Sequence, residues 1–300
     1  MARDRAVAAE GAAGTTMLAT GEQLETAPWR WQRIHTWWQA HEPQAAPYTY
    51  LAVITLAEYL TATSNPRLGL ALHAVVLLAL LVHGARMPDE APRRFLWALI
   101  LAPLIRILSL TLPLTDFPRV SWYFAISVPL IVTTALLSRS LGFTRRDLGL
   151  TLSPRHLPID LALVALGLPL GYLEYQILQP DPLVPMTGWT QPLLAALILT
   201  VSTGFNEEFI FRGLMQGAAF PVLRRWSPLY VNLLFAALHM GYESFIDLVF
   251  VLCVGMLFSW YRMRSGSIFG ITLAHGMVNI TLFLIVPFLM GETTGPGALP

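Results

Sequence analysis

The stretch GFNEEFIFRG, residues 204–213, carries two adjacent glutamates and an arginine inside a long apolar run. Each charged side chain at the centre of a membrane helix costs at least ~2.5 to 3.5 kcal/mol, so it needs a partner, a cavity or a function. Residues 191–218 around this stretch are long and apolar enough for a membrane span, which takes about 20 residues. The stretch therefore predicts a membrane helix that carries a polar site.

The composition of the whole chain agrees with a membrane protein. Of its 300 residues, 55% are hydrophobic and only 12% are charged, whereas a soluble domain has about 25% charged residues. The net charge of +1 creates no overall field that would attract nucleic acid. The single cysteine, Cys253, excludes an intrachain disulfide and a cysteine-based metal cluster.

Apolar runs of span length predict nine transmembrane helices. They fall at residues 48–64, 69–85, 95–114, 121–138, 159–179, 191–218, 228–242, 245–261 and 267–289. Arginines concentrate before the first run and in every second connection after it, and positive charge marks the cytoplasmic side. We therefore predict an all-α, polytopic membrane helix bundle in the cell membrane, with the N-terminus in the cytoplasm and the C-terminus outside.

Composition also predicts how the chain is organised. Residues 1–46 form a cytoplasmic segment. We expect its first part to be disordered and its Trp-rich part to form an interfacial helix, because four tryptophans lie between residues 29 and 38. Residues 47–290 form the transmembrane domain, and its polar core lies at about residues 190–285.

The two glutamates of the opening stretch point to different places. Glu208 and Arg212 are four residues apart and share one helix face, while Glu207 points about 100° away from Glu208. We therefore expect Arg212 to neutralise Glu208 and Glu207 to face a different space.

Three further polar residues belong to later apolar runs. His275 and Asn279 are four residues apart on one predicted helix, and His239 comes from a separate one. A rise of ~1.5 Å per residue places them and Glu207 at a similar depth in the inner half of the membrane. We expect a single site.

A carboxylate, two histidines and an amide around one cavity support two kinds of hydrolysis. In the first, Glu207 accepts a proton from water, His239 orients that water, and His275 with Asn279 donates hydrogen bonds to the oxyanion. In the second, Glu207, His239 and His275 bind zinc, because two histidines and a carboxylate match a catalytic zinc site. The residues alone leave both open.

Other charges in the predicted spans are less informative. Glu58 and Arg106 fall at similar depth and predict a structural ion pair. Glu174 lies near the external end of its span and receives no functional assignment.

The three polar patterns together resemble the CPBP family of intramembrane proteases. This family includes the type II CAAX prenyl endopeptidases and the bacterial Abi-type and bacteriocin-immunity proteins. The resemblance covers about residues 190–285. The family motifs EExxxR, FxxxH and HxxxN match, in that order, Glu207, Glu208 and Arg212; Phe235 and His239; His275 and Asn279.

The resemblance implies an endopeptidase that cleaves near the inner leaflet, with a membrane-embedded or lipid-modified protein as substrate. It implies that Glu207 and His239 activate water, that the HxxxN pair forms the oxyanion site, and that Glu208 and Arg212 support the site. We expect no metal cofactor, with zinc as the alternative, and no nucleic-acid partner. A function of another class stays open: a non-catalytic membrane protein, either a bacteriocin-immunity-type binder or a small transporter, that uses the same polar cluster.

Overall fold

The computed structural model of the chain describes residues 29–185 and 188–293, with side chains described at 45–185 and 188–290. The chain divides into two units, Met1–His41 and Glu42–Pro300, and the site described below belongs to the second. The disorder predicted for the first residues falls on residues 1–28, which lie outside the described part. The interfacial position of the Trp-rich stretch stays a prediction.

The regular elements of the described residues are all helical, as the apolar runs predicted. The α-helices are α1 (Trp29–Thr63), α2 (Pro66–Arg86), α3 (Glu90–Leu99), α4 (Leu101–Thr111), α5 (Arg119–Ser140), α6 (Leu157–Leu178), α7 (Thr190–Leu199), α8 (Asn206–Glu208), α9 (Gln216–Leu223), α10 (Ser227–Ala237), α11 (Phe245–Ser265), α12 (Phe269–Ile280) and α13 (Val286–Thr293). The π-helical segments are Thr200–Phe205, Phe209–Met215 and Thr281–Ile285, and the 3₁₀ segments are Pro154–His156, Arg224–Trp226 and Met240–Tyr242.

Within the described residues, seven helical segments are long and apolar enough to cross a membrane. They are Pro66–Arg86, Glu90–Thr111, Arg119–Ser140, Pro154–Leu178, Thr190–Tyr242, Phe245–Ser265 and Phe269–Met290. The predicted count of nine is therefore not confirmed, for two reasons. The predicted span 48–64 lies in α1, which is not among the seven, and the predicted spans 191–218 and 228–242 lie in one helical run of 53 residues. The orientation of the termini stays a prediction.

The 53-residue run reverses its direction near Arg224. This residue has a φ of +51°, a conformation that is uncommon for a residue other than glycine. Beyond the turn, α10 packs against the helical segment that precedes Arg224. A hydrogen bond shows this contact: Arg212 Nη2 donates to Asn232 Oδ1 at 2.6 Å. The run therefore contains two antiparallel arms, and the sequence had assigned these arms to separate spans.

Helix α12 packs closely between α6 and the π-helical segment Thr200–Phe205. On the α6 side, a Cβ atom at Gly167 would lie 2.8 Å from the carbonyl oxygen of Ala274. On the other side, a Cβ atom at Gly276 would lie 3.1 Å from Cα of Thr200. Small residues permit such close approach between membrane helices. This packing fixes α12, the helix that carries the HxxxN motif.

The loop between α5 and α6 is closed by a local capping interaction. Asp147 Oδ2 accepts hydrogen bonds from the backbone N–H and the hydroxyl of Thr144, at 2.8 and 2.7 Å. These bonds stabilise the carboxylate and hold the pKa of Asp147 below its usual range. Arg262 Nη2, near the end of α11, donates to the carbonyl oxygen of Asp147 at 2.6 Å. The loop is thereby tied to α11.

Candidate active site

Glu208 and Arg212 form the buried ion pair that their spacing predicted. Both side chains are fully buried, and Arg212 Nη1 lies 3.1 Å from Glu208 Oε1. The guanidinium also donates to Asn232 and lies over the ring of Phe235, 4.6 Å from its centroid. A buried guanidinium has five N–H donors and no alternative protonation state, so it depends on this set of partners. Asn232 was not identified from the sequence, because a single asparagine in an apolar run forms no pattern.

His275 lies between the two glutamates. Its Nδ1 is 2.9 Å from Glu208 Oε1, and its Nε2 is 3.7 Å from Glu207 Oε2. The first distance is a hydrogen bond, whereas the second is too long for one. Glu208 therefore has a second partner that the sequence did not predict: it orients the imidazole of His275 as well as neutralising Arg212.

Glu207 is the glutamate that reaches open space. Its side chain is 27% exposed, whereas that of Glu208 is fully buried. It lines two cavities, a smaller one and a larger one. Among the described residues, no side chain donates a hydrogen bond to its carboxylate. Its position agrees with the predicted division between a paired glutamate and a free one.

His239 follows the end of α10 and begins a tight turn. Its Nδ1 lies 2.9 Å from the carbonyl oxygen of Phe235. Because a carbonyl only accepts hydrogen bonds, Nδ1 carries the proton and Nε2 presents a lone pair. The ring packs edge-on against Phe235, with centroids 4.7 Å apart. His239 lines the same two cavities as Glu207.

Asn279 faces the smaller cavity from α12, one helical turn after His275. Its Nδ2 donates to Thr203 Oγ1 at 2.7 Å, and this hydroxyl donates to the carbonyl oxygen of Leu199 at 2.5 Å. One amide hydrogen thus fixes the side chain, and the second remains available to a ligand. Thr203 gave no signal in the sequence, because threonine is an ordinary residue in an apolar helix.

The smaller cavity brings together all seven residues of the three motifs. Four further polar side chains belong to its wall: Tyr123, Glu174, Thr203 and Tyr242. The two tyrosines carry no sequence pattern. Glu174 lies in α6 and belongs to this wall, although its position in the sequence gave no reason to assign it to the site.

The larger cavity extends from Glu207 and His239 toward α4 and α5. Its wall there contains the apolar side chains of Ile105, Ile126 and Leu130 and the polar side chains of Arg106, Ser109 and Ser127. The catalytic candidates of the motifs thus lie where a polar cavity and a more apolar one share a wall.

Two π-helical segments flank the glutamates, Thr200–Phe205 before them and Phe209–Met215 after them. Such segments occur often at functional sites and interrupt the regular α-helical register. The apolar run had predicted an uninterrupted α-helix. The ion pair between Glu208 and Arg212 still forms, because their spacing of four residues brings the two side chains together in this wider helix as well.

The zinc alternative receives no support from the arrangement of donors. Within residues 29–185 and 188–293, no group of three or more His, Cys, Asp and Glu side chains is placed to hold a metal ion. Glu207, His239 and His275 line one cavity, and the choice between a zinc mechanism and a metal-free one stays a prediction.

Part of the chain matches a known family. Residues 189–281 match the family model described as type II CAAX prenyl endopeptidase Rce1-like. Comparisons with curated proteins and with solved structures gave no match. The matched segment contains every residue of the EExxxR, FxxxH and HxxxN motifs. We conclude that the chain is a multi-pass membrane protein whose residues 189–281 are similar to the type II CAAX prenyl endopeptidase Rce1-like family.

Proposed function

We propose that this protein is an intramembrane endopeptidase of the CAAX-processing type, which hydrolyses a peptide bond near the inner leaflet with water activated by Glu207. One observation carries the proposal. Glu207 and His239 line a cavity together with His275 and Asn279, and all four lie in the segment that matches the Rce1-like family.

The reaction begins with a water molecule between Glu207 and His239. The lone pair on His239 Nε2 orients the water, and the Glu207 carboxylate accepts its proton as the oxygen attacks the peptide carbonyl. Breakdown of the tetrahedral intermediate cleaves the C–N bond, and Glu207 then returns the proton to the leaving amine. Glu207 suits this role because its carboxylate faces the cavities and has no ion-pair partner within hydrogen-bond distance.

The oxyanion of the tetrahedral intermediate receives hydrogen bonds from His275 and Asn279. One amide hydrogen of Asn279 is bonded to Thr203, and Asn279 donates the other one to the oxyanion. Nδ1 of His275 faces the Glu208 carboxylate, so His275 donates from Nε2 when the ring carries both protons. Preorganised donors of this kind contribute ~2.7 to 4 kcal/mol each to transition-state stabilisation.

The substrate lies in the larger cavity, beside the apolar residues of α4 and α5. This lining suits the apolar side chains of a membrane-embedded segment or a lipid attached to the substrate. The cavity adjoins Glu207 and His239, so a peptide bond at its inner end reaches the activated water. Among the polar groups of this wall, Ser127 donates a hydrogen bond to Ser202 at 2.9 Å.

The rival function is a non-catalytic binder or a small transporter that uses the same cluster. Such a protein needs the shape and polarity of the cavity but does not need a group that accepts a proton from water. Glu207→Gln preserves size and polarity and removes the base. This single substitution therefore distinguishes hydrolysis from binding.

The test uses purified protein in lipid nanodiscs and an internally quenched peptide that ends in a CAAX sequence. One version carries an S-farnesyl cysteine and the other a free thiol. We expect Glu207→Gln to lower turnover by at least the ~10²-fold typical of losing a general base. Glu90→Gln is the matched control, because it makes the same chemical change at a side chain that is 62% exposed.

Two results would count against the proposal. The first is wild-type protein that cleaves neither peptide. The second is Glu207→Gln protein that cleaves as fast as the control variant. Equal cleavage of the farnesylated and free-thiol peptides would keep the endopeptidase function and remove the requirement for a prenyl group.

A further inference from the structure

We propose that Arg106 is a positioning residue of this site, which holds the end of α10 in the conformation that presents His239. Arg106 lies on α4, outside the segment that matches the family model. Its effect on catalysis rests on the proposed function, whereas its effect on the backbone does not.

The contact that carries this inference joins Arg106 to the peptide group just before His239. Arg106 Nη2 donates a hydrogen bond to the carbonyl oxygen of Leu238 at 2.7 Å. Helix α10 ends at Ala237, and the last carbonyls of a helix have no partner within it. A guanidinium supplies the partner here, and hydrogen bonds from charged donors are about twice as strong as neutral ones. Arg106 thus fixes the peptide plane from which His239 projects.

Arg106 is itself held in place by Glu58 of α1. Its Nε donates to Glu58 Oε1 at 2.9 Å, and its Nη2 lies 2.6 Å from Glu58 Oε2. This confirms the ion pair that their depth predicted. The carboxylate is 1% exposed and also faces the fully buried His73 of α2, whose Nε2 lies 3.2 Å away. The planar guanidinium of Arg106 is bound through two of its nitrogens and cannot rotate freely. Helices α1, α2 and α4 together therefore orient this guanidinium toward Leu238.

The backbone around His239 needs such a restraint. His239 has left the helix, with φ −91° and ψ 0°, and the turn ends at Glu243 with a φ of +54°. Four amides of this turn form local hydrogen bonds. They are Leu238 N to Leu234 O, His239 N to Ala236 O, Tyr242 N to His239 O and Glu243 N to Met240 O. The bond from Arg106 ties this turn to other helices of the bundle.

A buried ion pair could equally stabilise the fold without affecting the site, so the test separates the two roles. The first variant is Arg106→Lys, which keeps a charged donor but lacks the planar guanidinium with its several N–H groups. The second is the double variant Glu58→Gln with Arg106→Gln, which avoids leaving one buried charge alone. The matched control is Tyr230→Phe. Tyr230 donates to the carbonyl oxygen of Pro47 at 2.7 Å, so this control also removes a hydrogen bond that ties the α10 region to another helix, but at the other end of α10.

Hydrogen–deuterium exchange in lipid nanodiscs tests the structural claim without any substrate. In the double variant, we expect the amides of residues 238–243 to exchange about tenfold faster than in the wild type, as expected for losing a hydrogen bond to a charged group. The exchange rate of these amides in Arg106→Lys should lie between the rates in the wild type and in the double variant. Tyr230→Phe should leave exchange in residues 238–243 unchanged. Unaltered exchange there in the double variant would overturn the inference.

Turnover of the quenched peptide tests the catalytic consequence. Misplacing His239 should lower kcat by about 10²-fold in the double variant. Arg106 also lines the larger cavity, so the change in kcat, rather than the change in KM, tests the positioning role. A loss of kcat no larger than that of Tyr230→Phe would also overturn the inference. If the proposed function is wrong, the wild type shows no turnover or the Glu207→Gln protein stays active. The hydrogen-exchange measurement does not depend on either of these results.

Discussion

Replacing Glu208 by glutamine tests whether two neighbouring glutamates have separate roles. In the wild type, one oxygen of Glu208 lies 3.1 Å from Arg212 and 2.9 Å from His275. Glutamine has nearly the same size but only one acceptor oxygen, and its amide nitrogen is a donor. The variant therefore leaves Arg212 as a buried cation with no opposing charge beside it.

The expected cost follows from the burial of the pair. Removing one partner of a buried ion pair destabilises a protein by ~3 to 5 kcal/mol. Arg212 keeps its hydrogen bond to Asn232 and its contact with the ring of Phe235, so we expect the lower end, about 3 kcal/mol. At about 2 to 4 °C per kcal/mol, the apparent melting temperature should fall by roughly 6 to 12 °C.

Thermal unfolding in detergent, measured beside peptide turnover, gives the comparison. Glu207→Gln is the matched variant: its carboxylate is partly exposed and lies 3.7 Å from the nearest ring nitrogen of His275. It should melt close to the wild type and lose turnover. Glu208→Gln should melt early and keep more activity than Glu207→Gln at temperatures where it is folded. A stable and inactive Glu208→Gln protein beside an active Glu207→Gln protein would show that the two roles are reversed.

Three further predictions concern topology, metal and packing. Reporter fusions placed after Arg146 and at Pro300 should lie on opposite sides of the membrane, because basic loops mark the cytoplasm; the same side for both would refute the predicted orientation. Hydrolysis should survive exhaustive chelation, and activity that is lost to a chelator and restored by zinc would refute the metal-free mechanism. Gly255→Ala should destabilise the protein by about 1 to 3 kcal/mol, since its Cβ would lie 2.6 Å from Arg212 Nη2. Gly188→Ala has open space around it and should leave the melting temperature unchanged.

The sequence predicted the helical class because it depends on local patterns. The candidate site residues also follow from local patterns, and their catalytic roles stay predictions. Apolar runs of span length identify membrane helices, and charged residues within such runs are costly enough to mark a site. The ion pairs of Glu208 with Arg212 and of Glu58 with Arg106 followed from spacing and depth. These features need no knowledge of how the helices are arranged.

The features that the sequence did not predict depend on tertiary packing. The bond from Arg106 to Leu238 has a backbone carbonyl as acceptor, and a carbonyl has no sequence signature. Thr203 and Asn232 reach the site through hydrogen bonds to residues that are distant in sequence, Asn279 and Arg212. The span count differed because α1 is not among the seven segments and because the predicted spans 191–218 and 228–242 lie in one continuous helical run.

The wall that the two cavities share has a consequence for inhibitor design. A polar group in the smaller cavity and an apolar group in the larger one would lie on either side of Glu207 and His239. Joining the two groups by a short linker makes the second binding event intramolecular, with an effective concentration that reaches the millimolar range. A bivalent compound of this kind would occupy the position of the attacking water, and its gain in affinity over either half would report directly on the passage between the two cavities.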